Sequence, residues 1–308
     1  MYRNTFLSVM FLACCFNGSL CAQSDAQIYE RTCDAKTYPF SDPSPVATPN
    51  NSYYPYFRFD GFSMQAQEKQ WKMVVLENDY VKLTVTPEIG GKIWGAIDKV
   101  NNKEFVYTNG VVKFRDVAMR GPWTSGGIEF NFGIIGHAPT CSTPIDYLTK
   151  KNVDGSVSCH IFSYEWITRT VWNVEINLPK DKAYFTTHTT WFNQSSIDQP
   201  YYQWMNAGYA TKTGTRFYYP GTYSIGHSGD LHPYPIDEEG RDVSWYDNNN
   251  FGASKSLHII GDYNDYFGIY WHNEKHGSAH YSNYDEKLGM KFYLWSFSRE
   301  GAIWEELL

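Results

Sequence analysis

The stretch Val81-Lys-Leu-Thr-Val-Thr-Pro-Glu-Ile-Gly-Gly-Lys-Ile-Trp-Gly-Ala-Ile-Asp98 carries the clearest structural signal in this chain. Apolar and polar residues alternate over 81–86, which is the period of a strand with one buried face. The proline and glycines of 87–91 are typical of a turn, and 92–98 then forms a returning strand. The pattern predicts an antiparallel hairpin, followed by a turn at 99–103 and a third strand from Glu104 to Tyr107.

Short strands of the same kind are predicted along the rest of the chain, at 157–164, 167–178, 183–192, 201–210, 256–260, 266–272 and 290–297. Aromatic residues make up 18% of the 308 residues, and aromatic side chains favour strands. Nowhere do apolar residues recur at the spacing of an amphipathic helix over ten or more positions, and no repeat of fixed period is visible. The sequence therefore predicts an all-β, antiparallel sandwich or barrel, with residues 63–308 as a single domain.

Residues 1–22 are predicted to be a secretory signal peptide. Arg3 supplies the basic start, the apolar run 6–16 is too short to span a bilayer, and small residues precede a cleavage point after Ala22. A lipoprotein anchored through one of the early cysteines is the less favoured alternative. The mature chain is expected to be periplasmic or secreted, with no membrane span.

Residues 23–62 are predicted to be an extended lead-in that becomes ordered around 53–62. Their prolines make a long helix or a central strand implausible. At the other end, 304–308 has no turn or polar tail, so the sequence is expected to be a fragment or the first part of a longer protein.

Charge and cysteine content narrow the possible functions. The chain has 26 basic and 33 acidic residues, a net charge of −7, and no basic block, which argues against nucleic acid as a partner. The mature chain keeps Cys33, Cys141 and Cys159, of which Cys141 and Cys159 could pair. Their spacing matches no zinc site, and a buried cysteine is a simpler interpretation than a catalytic thiol.

The segment from Arg120 to His137 combines glycines, aromatic residues and ionisable groups more densely than any other. Aromatic faces such as Trp123 suit the C–H side of a pyranose, and polar groups suit its hydroxyls. Glu129, if it points into an aromatic cleft, is expected to have a raised pKa and to serve as a general acid. The alternatives are a pair of glycine-kinked core strands and a glutamate on a solvated face.

His137 is expected in a loop, either as a proton donor or hydroxyl ligand or as a histidine bonded to backbone. His272, His276 and His280 lie close together, but their spacing and Gly277 do not fit the helical zinc motif, so a sugar site is favoured over a metal.

Trp204 and Asn206 could line a ligand cleft, although core packing is the commoner role of a tryptophan. No cofactor is predicted, because the sequence has neither a nucleotide-binding glycine loop nor a Gly-x-Ser-x-Gly elbow.

The segment 78–93, followed by Asp98-Lys99, resembles the opening of galactose-mutarotase-like proteins, a pattern loosely shared with aldose epimerases. The segment Gly121-Pro-Trp-Thr-Ser-Gly-Gly-Ile-Glu-Phe-Asn131 resembles one branch of that superfamily, a domain of unknown function in secreted bacterial proteins, sometimes followed by helical repeats. The similarity runs from about Trp71 to the end. It implies a β-supersandwich and a carbohydrate ligand, but not a reaction, since one fold hosts many activities. The epimerase Asn-Arg and histidine motifs find no match, and the family's late carboxylate would be Glu305 or Glu306.

These observations lead to a first hypothesis, an exported glycoside hydrolase. Its predicted catalytic residues are Glu129, His137 and His280, and its predicted sugar-binding residues are Arg120, Trp123, Trp204, Asn206 and His272. Hydrolysis normally needs two carboxyl groups, and the candidates for the second are Asp230, Asp247 and Glu305. The alternatives are an aldose 1-epimerase and a non-catalytic carbohydrate-binding module.

Overall fold

The computed structural model describes residues 24–40, 61, 63–118, 121–133, 137–249, 255–286 and 289–294, and these are almost entirely β-structure. The strands are β1 (Gln27–Tyr38), β2 (Gln67–Glu77), β3 (Val81–Thr86), β4 (Lys92–Asp98), β5 (Lys103–Val106), β6 (Val112–Lys113), β7 (Arg115–Ala118), β8 (Gly121–Trp123), β9 (Ile128–Phe132), β10 (Asp146–Lys151), β11 (Val157–Glu165), β12 (Thr170–Leu178), β13 (Thr186–Asn193), β14 (Gln203–Ala207), β15 (Thr215–Tyr218), β16 (Tyr223–Ile225), β17 (Leu231–Pro233), β18 (Lys255–Ile260), β19 (Tyr266–Trp271), β20 (His276–Tyr281) and β21 (Met290–Leu294). Short 3₁₀ helices lie at Pro139–Ser142 and Tyr246–Asn248.

Two sheets form the main sandwich. The larger has the order β14-β9-β4-β3-β2-β1-β6, with β5 added to β4, and the smaller has the order β10-β11-β12-β13. Alternate residues of each strand point between the two sheets, so Leu83 and Val85 of β3 meet Val174 and Ile176 of β12 in one apolar core. Apart from the parallel β1–β6 pair, the ladders of these two sheets are antiparallel.

A smaller pair of sheets lies later in the chain. One has the order β15-β19-β20 and the other β17-β16-β18-β21. Their inner faces supply a second core, in which Phe217 stacks on Phe292 with ring centroids 4.6 Å apart, together with Ile259, Ile269 and Trp271. The predicted all-β antiparallel supersandwich is therefore confirmed.

The hairpin that dominates the sequence forms as predicted, with β3 at Val81–Thr86 and β4 at Lys92–Asp98. Its turn requires glycine, because Gly90 and Gly91 have φ angles of 65° and 67°. A Cβ atom on Gly90 would also meet the carbonyl oxygen of Thr140 at 2.5 Å. The turn thus packs directly against the 3₁₀ helix that follows the candidate site.

The first half of the segment 23–62, predicted as an extended lead-in, contains a strand of the main sheet that the sequence did not predict. β1 runs for 12 residues and pairs with β2 over most of its length, and near its end with β6. The prolines that argued against a strand all lie beyond Tyr38, so none removes a donor from this ladder. Residues 41–60 and 62, where order was expected to begin, lie outside the described residues, as do the predicted signal peptide and the chain end at 304–308.

Cys141 and Cys159 are both buried and neither is in a disulfide, so the possible pairing does not form. Burial raises the pKa of the Cys159 thiol to about 12, which leaves it protonated and unreactive at neutral pH. Within the described residues, no helix has the length and apolar character needed to cross a bilayer.

Candidate functional site

The candidate site lies on the face of the large sheet that points away from the main core. On β9, Phe130 and Phe132 pack into that core, so Glu129 and Asn131 project from the opposite face. The register places Asn206 of β14 opposite Glu129 and Trp204 opposite Asn131. Strand pairing thus brings Glu129, Trp204 and Asn206 together across more than 70 residues of sequence.

Glu129 is the centre of this group and is only 2% exposed. Its Oε2 accepts a 2.7 Å hydrogen bond from the Trp123 indole N–H, and its Oε1 accepts bonds from the side-chain amides of Asn131 at 3.1 Å and Asn206 at 3.4 Å. His137 Nδ1 lies 2.5 Å from the same Oε1, although not in line for a well-directed N–H···O bond. The carboxylate is therefore surrounded by donors, an arrangement that favours its ionised form.

The pKa of Glu129 lies below its ordinary value, which contradicts the expectation of a raised pKa. Burial alone would raise it, but the charge and contact of His137, the charge of Lys92 and the Asn131 amide together outweigh that effect. The lowered pKa favours the carboxylate form of Glu129, which is the opposite of what the proton-donating role suggested by the sequence needs.

Lys92 is the buried cation beside Glu129. Ile93 of β4 pairs with Ile128 of β9, so Lys92 and Glu129 are neighbours on the other face of the same two strands. The Lys92 ammonium donates to the Thr124 carbonyl at 2.5 Å and contacts its hydroxyl oxygen at 3.2 Å. Burial lowers the pKa of Lys92, while the charge of Glu129 acts in the opposite direction.

His137 is a partly exposed member of the group, with a side chain 19% exposed. Its ring centroid lies 4.8 Å from that of Trp204 and 5.6 Å from that of Trp123. The next residue is held in place, because the Ala138 N–H donates to Asn131 Oδ1 at 2.7 Å. Nδ1 is the ring nitrogen next to Glu129, so Nε2 is the one available for proton exchange with a ligand.

Four of the predicted site residues, His137, Trp123, Trp204 and Asn206, thus gather around Glu129. Arg120 lies outside the described residues, as do Glu305 and Glu306. His280 faces the inner side of β20 and stacks on Phe267 at 4.8 Å, whereas His272 belongs to a separate aromatic group with Tyr218, Trp245 and Tyr270. His276, the third histidine of that sequence cluster, is buried against Trp271, with Nδ1 3.8 Å from Asp98.

Neither described candidate for a second carboxyl group is a polar partner of Glu129. Asp247 accepts a 2.7 Å hydrogen bond from the Gly214 N–H, and Asp230 is exposed at the turn between β16 and β17.

Sequence reasoning also missed two residues of the group, Lys92 and Asn131. Asn131 could have been found, because it lies two positions from Glu129 on a strand and so shares its face.

Comparisons with known proteins agree with this fold. The family described as "Domain of unknown function (DUF5107)" matches residues 48–308. A TPR-domain containing protein from Parabacteroides distasonis has a similar structure, with a TM-score of 0.81 and 22% identity over 92% of this chain, which spans about half (49%) of that protein. A galactose mutarotase-like protein from Clostridium acetobutylicum has a TM-score of 0.46 and 10% identity, over 66% of this chain and 75% of its own. A putative aldose 1-epimerase from Klebsiella pneumoniae has a TM-score of 0.41 and 8% identity, over 77% of this chain and 75% of its own. The first similarity shows the fold, and the other two are too distant to define an activity.

Proposed function

This chain is a member of the family of unknown function DUF5107, and we propose that it binds a sugar beside Glu129 and transfers protons on it as an aldose 1-epimerase does. The observation that carries this proposal is the Glu129–His137 pair, with a buried carboxylate held against Nδ1 of a partly exposed histidine. Trp204 is partly exposed, with its ring centroid 4.8 Å from that of the imidazole, and offers apolar surface to a sugar ring.

In this proposal His137 Nε2 is the atom that exchanges protons with the ligand. It accepts the proton of the anomeric hydroxyl while water protonates the ring oxygen, so the ring C–O bond breaks and the open-chain aldehyde forms. Rotation of the aldehyde and reversal of both proton transfers close the ring as the other anomer. Glu129 stabilises the imidazolium that forms and fixes the orientation of the ring, which are the roles that a buried carboxylate has behind a catalytic histidine.

Glycoside hydrolysis, the first hypothesis from the sequence, has less support. It normally needs one carboxyl group as an acid and another as a base or nucleophile. Glu129 is ionised, and within the described residues its polar partners are all N–H donors. Anomer exchange can proceed with one acid–base group of this kind and water as the second proton carrier, which the observed arrangement can supply.

The test is polarimetry of freshly dissolved α-D-galactose and α-D-glucose. We expect the protein to accelerate the approach to the equilibrium rotation, and His137→Gln to reduce that acceleration by about 10²- to 10⁴-fold, the usual contribution of a general acid–base. A matched control is His160→Gln. His160 also faces a glutamate, with Nε2 3.7 Å from Glu175, but it lies on β11 in the opposite sheet, so full activity is expected.

Equal acceleration by wild type and His137→Gln would contradict the proposal. Release of reducing sugar from a panel of glycans that disappears in Glu129→Gln would instead establish a hydrolase. Binding of sugars by calorimetry, with neither reaction, would identify a non-catalytic binding module. Each variant is first checked for an unchanged unfolding transition at the assay temperature.

A further inference from the structure

The outer face of the three-stranded sheet carries an exposed row of tyrosines. Phe217, Ile269 and Trp271 of this sheet point into the second core, so the alternate residues face outward. The register aligns Tyr218 with Gly268 and Ala279, and aligns Tyr266 with Tyr281. We call the outward residues Tyr218, Tyr266, Tyr270 and Tyr281 the tyrosine face.

The tyrosine side chains of this face are largely exposed, and the residues between them are small. Tyr218 is 41% exposed, Tyr266 52% and Tyr281 75%, which is unusual for large aromatic side chains. Between them the strands present the small residues Gly268, Gly277 and Ala279, and the Tyr270 ring packs over Gly277. Tyr266 and Tyr270 are four residues apart on one strand, roughly 13 Å, which is long enough to contact successive rings of an extended chain.

A fixed cation lies at one end of the tyrosine face. The guanidinium carbon of Arg216 lies 5.2 Å from the ring centroid of Tyr218 and 5.1 Å from that of Trp245. Its polar contacts are long, at 3.4 Å from Nε to Ser244 Oγ and 3.9 Å from a terminal nitrogen to Asp242 Oδ2. Arg216 therefore keeps donor capacity for a further anion, which is notable in a chain of net charge −7.

His272 adds a polar group beside the same cation. Its Nε2 lies 3.1 Å from the Tyr218 hydroxyl, and its ring lies 4.8 Å from Trp245 and 4.9 Å from Tyr270. The Tyr218 hydroxyl and this imidazole can exchange hydrogen bonds with sugar hydroxyls, while the ring faces take the C–H side of the sugar.

We propose that the tyrosine face is a second glycan-binding surface, selective for polysaccharides whose sugars carry carboxylate groups. The tyrosine rings stack on successive sugar rings, and Arg216 binds a carboxylate at the end of the row. The inference concerns residues separate from the Glu129 group and does not depend on the reaction there. We infer that the ligand is acidic because Arg216 is a cation, and that it is a polymer because the tyrosine face is long and exposed.

The experiment compares binding of the whole protein to three polymers by affinity electrophoresis and calorimetry. The polymers are polygalacturonate, the same polymer with its carboxylates methyl-esterified, and neutral galactan. We expect binding to polygalacturonate, at least tenfold weaker binding after esterification, and a similar loss on Arg216→Gln. Tyr281→Ala should weaken binding as well, and because this side chain is mostly exposed, the variant is expected to fold normally.

Tyr263→Ala is the control, since Tyr263 is 79% exposed on a turn before β19. Absence of binding to all three polymers would overturn the proposal. Equal binding to the charged and esterified polymers would overturn its acidic specificity, and binding that survives both Arg216→Gln and Tyr281→Ala would exclude this face. Anomer exchange of free monosaccharides is expected to be unchanged in both variants, so the two proposals fail independently.

Discussion

At the scale of single residues, the buried charges of Glu129 and Lys92 lie on neighbouring strands and stabilise one another at a distance. Removing one of two buried opposite charges typically costs about 3–5 kcal/mol, because the other charge is left with less compensation. We expect Glu129→Gln to lower the free energy of unfolding by roughly 3 kcal/mol at neutral pH, measured by urea denaturation. Lys92→Met in the same chain should recover part of this loss, because it removes the uncompensated ammonium.

The lowered pKa of Glu129 also predicts that the free energy of unfolding depends on pH. The pKa of Glu129 is lower in the folded chain than its ordinary value of about 4.3, so its ionised form stabilises the fold above that pH. This contribution is lost as the pH falls through the folded-state pKa. The stability difference between wild type and Glu129→Gln should therefore be largest near neutrality and narrow in acid, measured as the urea midpoint from pH 7 to 3. A difference that stays constant over this range would show that Glu129 is not ionised in the fold.

The members of the candidate site could be predicted from the sequence only where they lie in the same segment of the chain. Trp123, Glu129 and His137 lie within 15 positions, and the structure brings these three side chains into contact, as their mixture of types suggested. The pKa direction could not be predicted, because it depends first on the contact of His137 with Glu129 and then on the charge of Lys92, which the pairing of β4 with β9 places beside Glu129. Electrostatic neighbours are set by sheet register, which a single sequence does not display.

At the scale of elements, β1 shows how a long strand can be held by its backbone and by one buried side chain. Most of its side chains are exposed or half-buried, but Thr37 is fully buried and its hydroxyl oxygen accepts a 2.9 Å hydrogen bond from the Trp71 indole N–H of β2. Thr37→Val keeps the shape and leaves that N–H without a partner. We expect it to destabilise the protein by about 1–3 kcal/mol in urea denaturation.

Thr32→Val is the matched control on the same strand, because Thr32 is exposed and a surface change of this kind is usually worth less than about 0.5 kcal/mol. Trp71→Phe combined with Thr37→Val should cost less than the sum of the single changes, since both remove the same hydrogen bond. Strictly additive effects would show that the Thr37–Trp71 bond does not anchor β1.

The contrast between β1 and the β3–β4 hairpin explains which elements could be predicted. β3 alternates Val81, Leu83 and Val85 with polar residues and ends at a proline–glycine turn, so its signal is entirely local. β1 buries few side chains and carries little alternation, so its existence depends on β2, 30 or more residues away. Strands held mainly by a distant partner are the elements that pattern reasoning misses.

At the scale of the whole molecule, the main core and the second core share one side chain. Tyr209, in the connection between β14 and β15, packs against the main core and also against the second core. Its ring centroid lies 6.4 Å from that of Trp271, and burial raises the pKa of its hydroxyl. The indole N–H of Trp271 donates to the Ala210 carbonyl at 2.7 Å, which fixes the same connection to the second core.

Because Tyr209 touches both cores, we expect it to couple their unfolding. Tyr209→Ala removes a large aromatic ring from both cores at once, and such truncations cost about 3–5 kcal/mol. Differential scanning calorimetry should show a single transition for wild type and two resolved transitions for Tyr209→Ala, as the cores lose their common contact. Tyr209→Phe keeps the ring and should retain one transition, with a small decrease in Tm from loss of the hydroxyl. If Tyr209→Ala unfolds in one transition that is merely shifted, the cores are coupled by the backbone and by the Trp271–Ala210 bond rather than by this side chain.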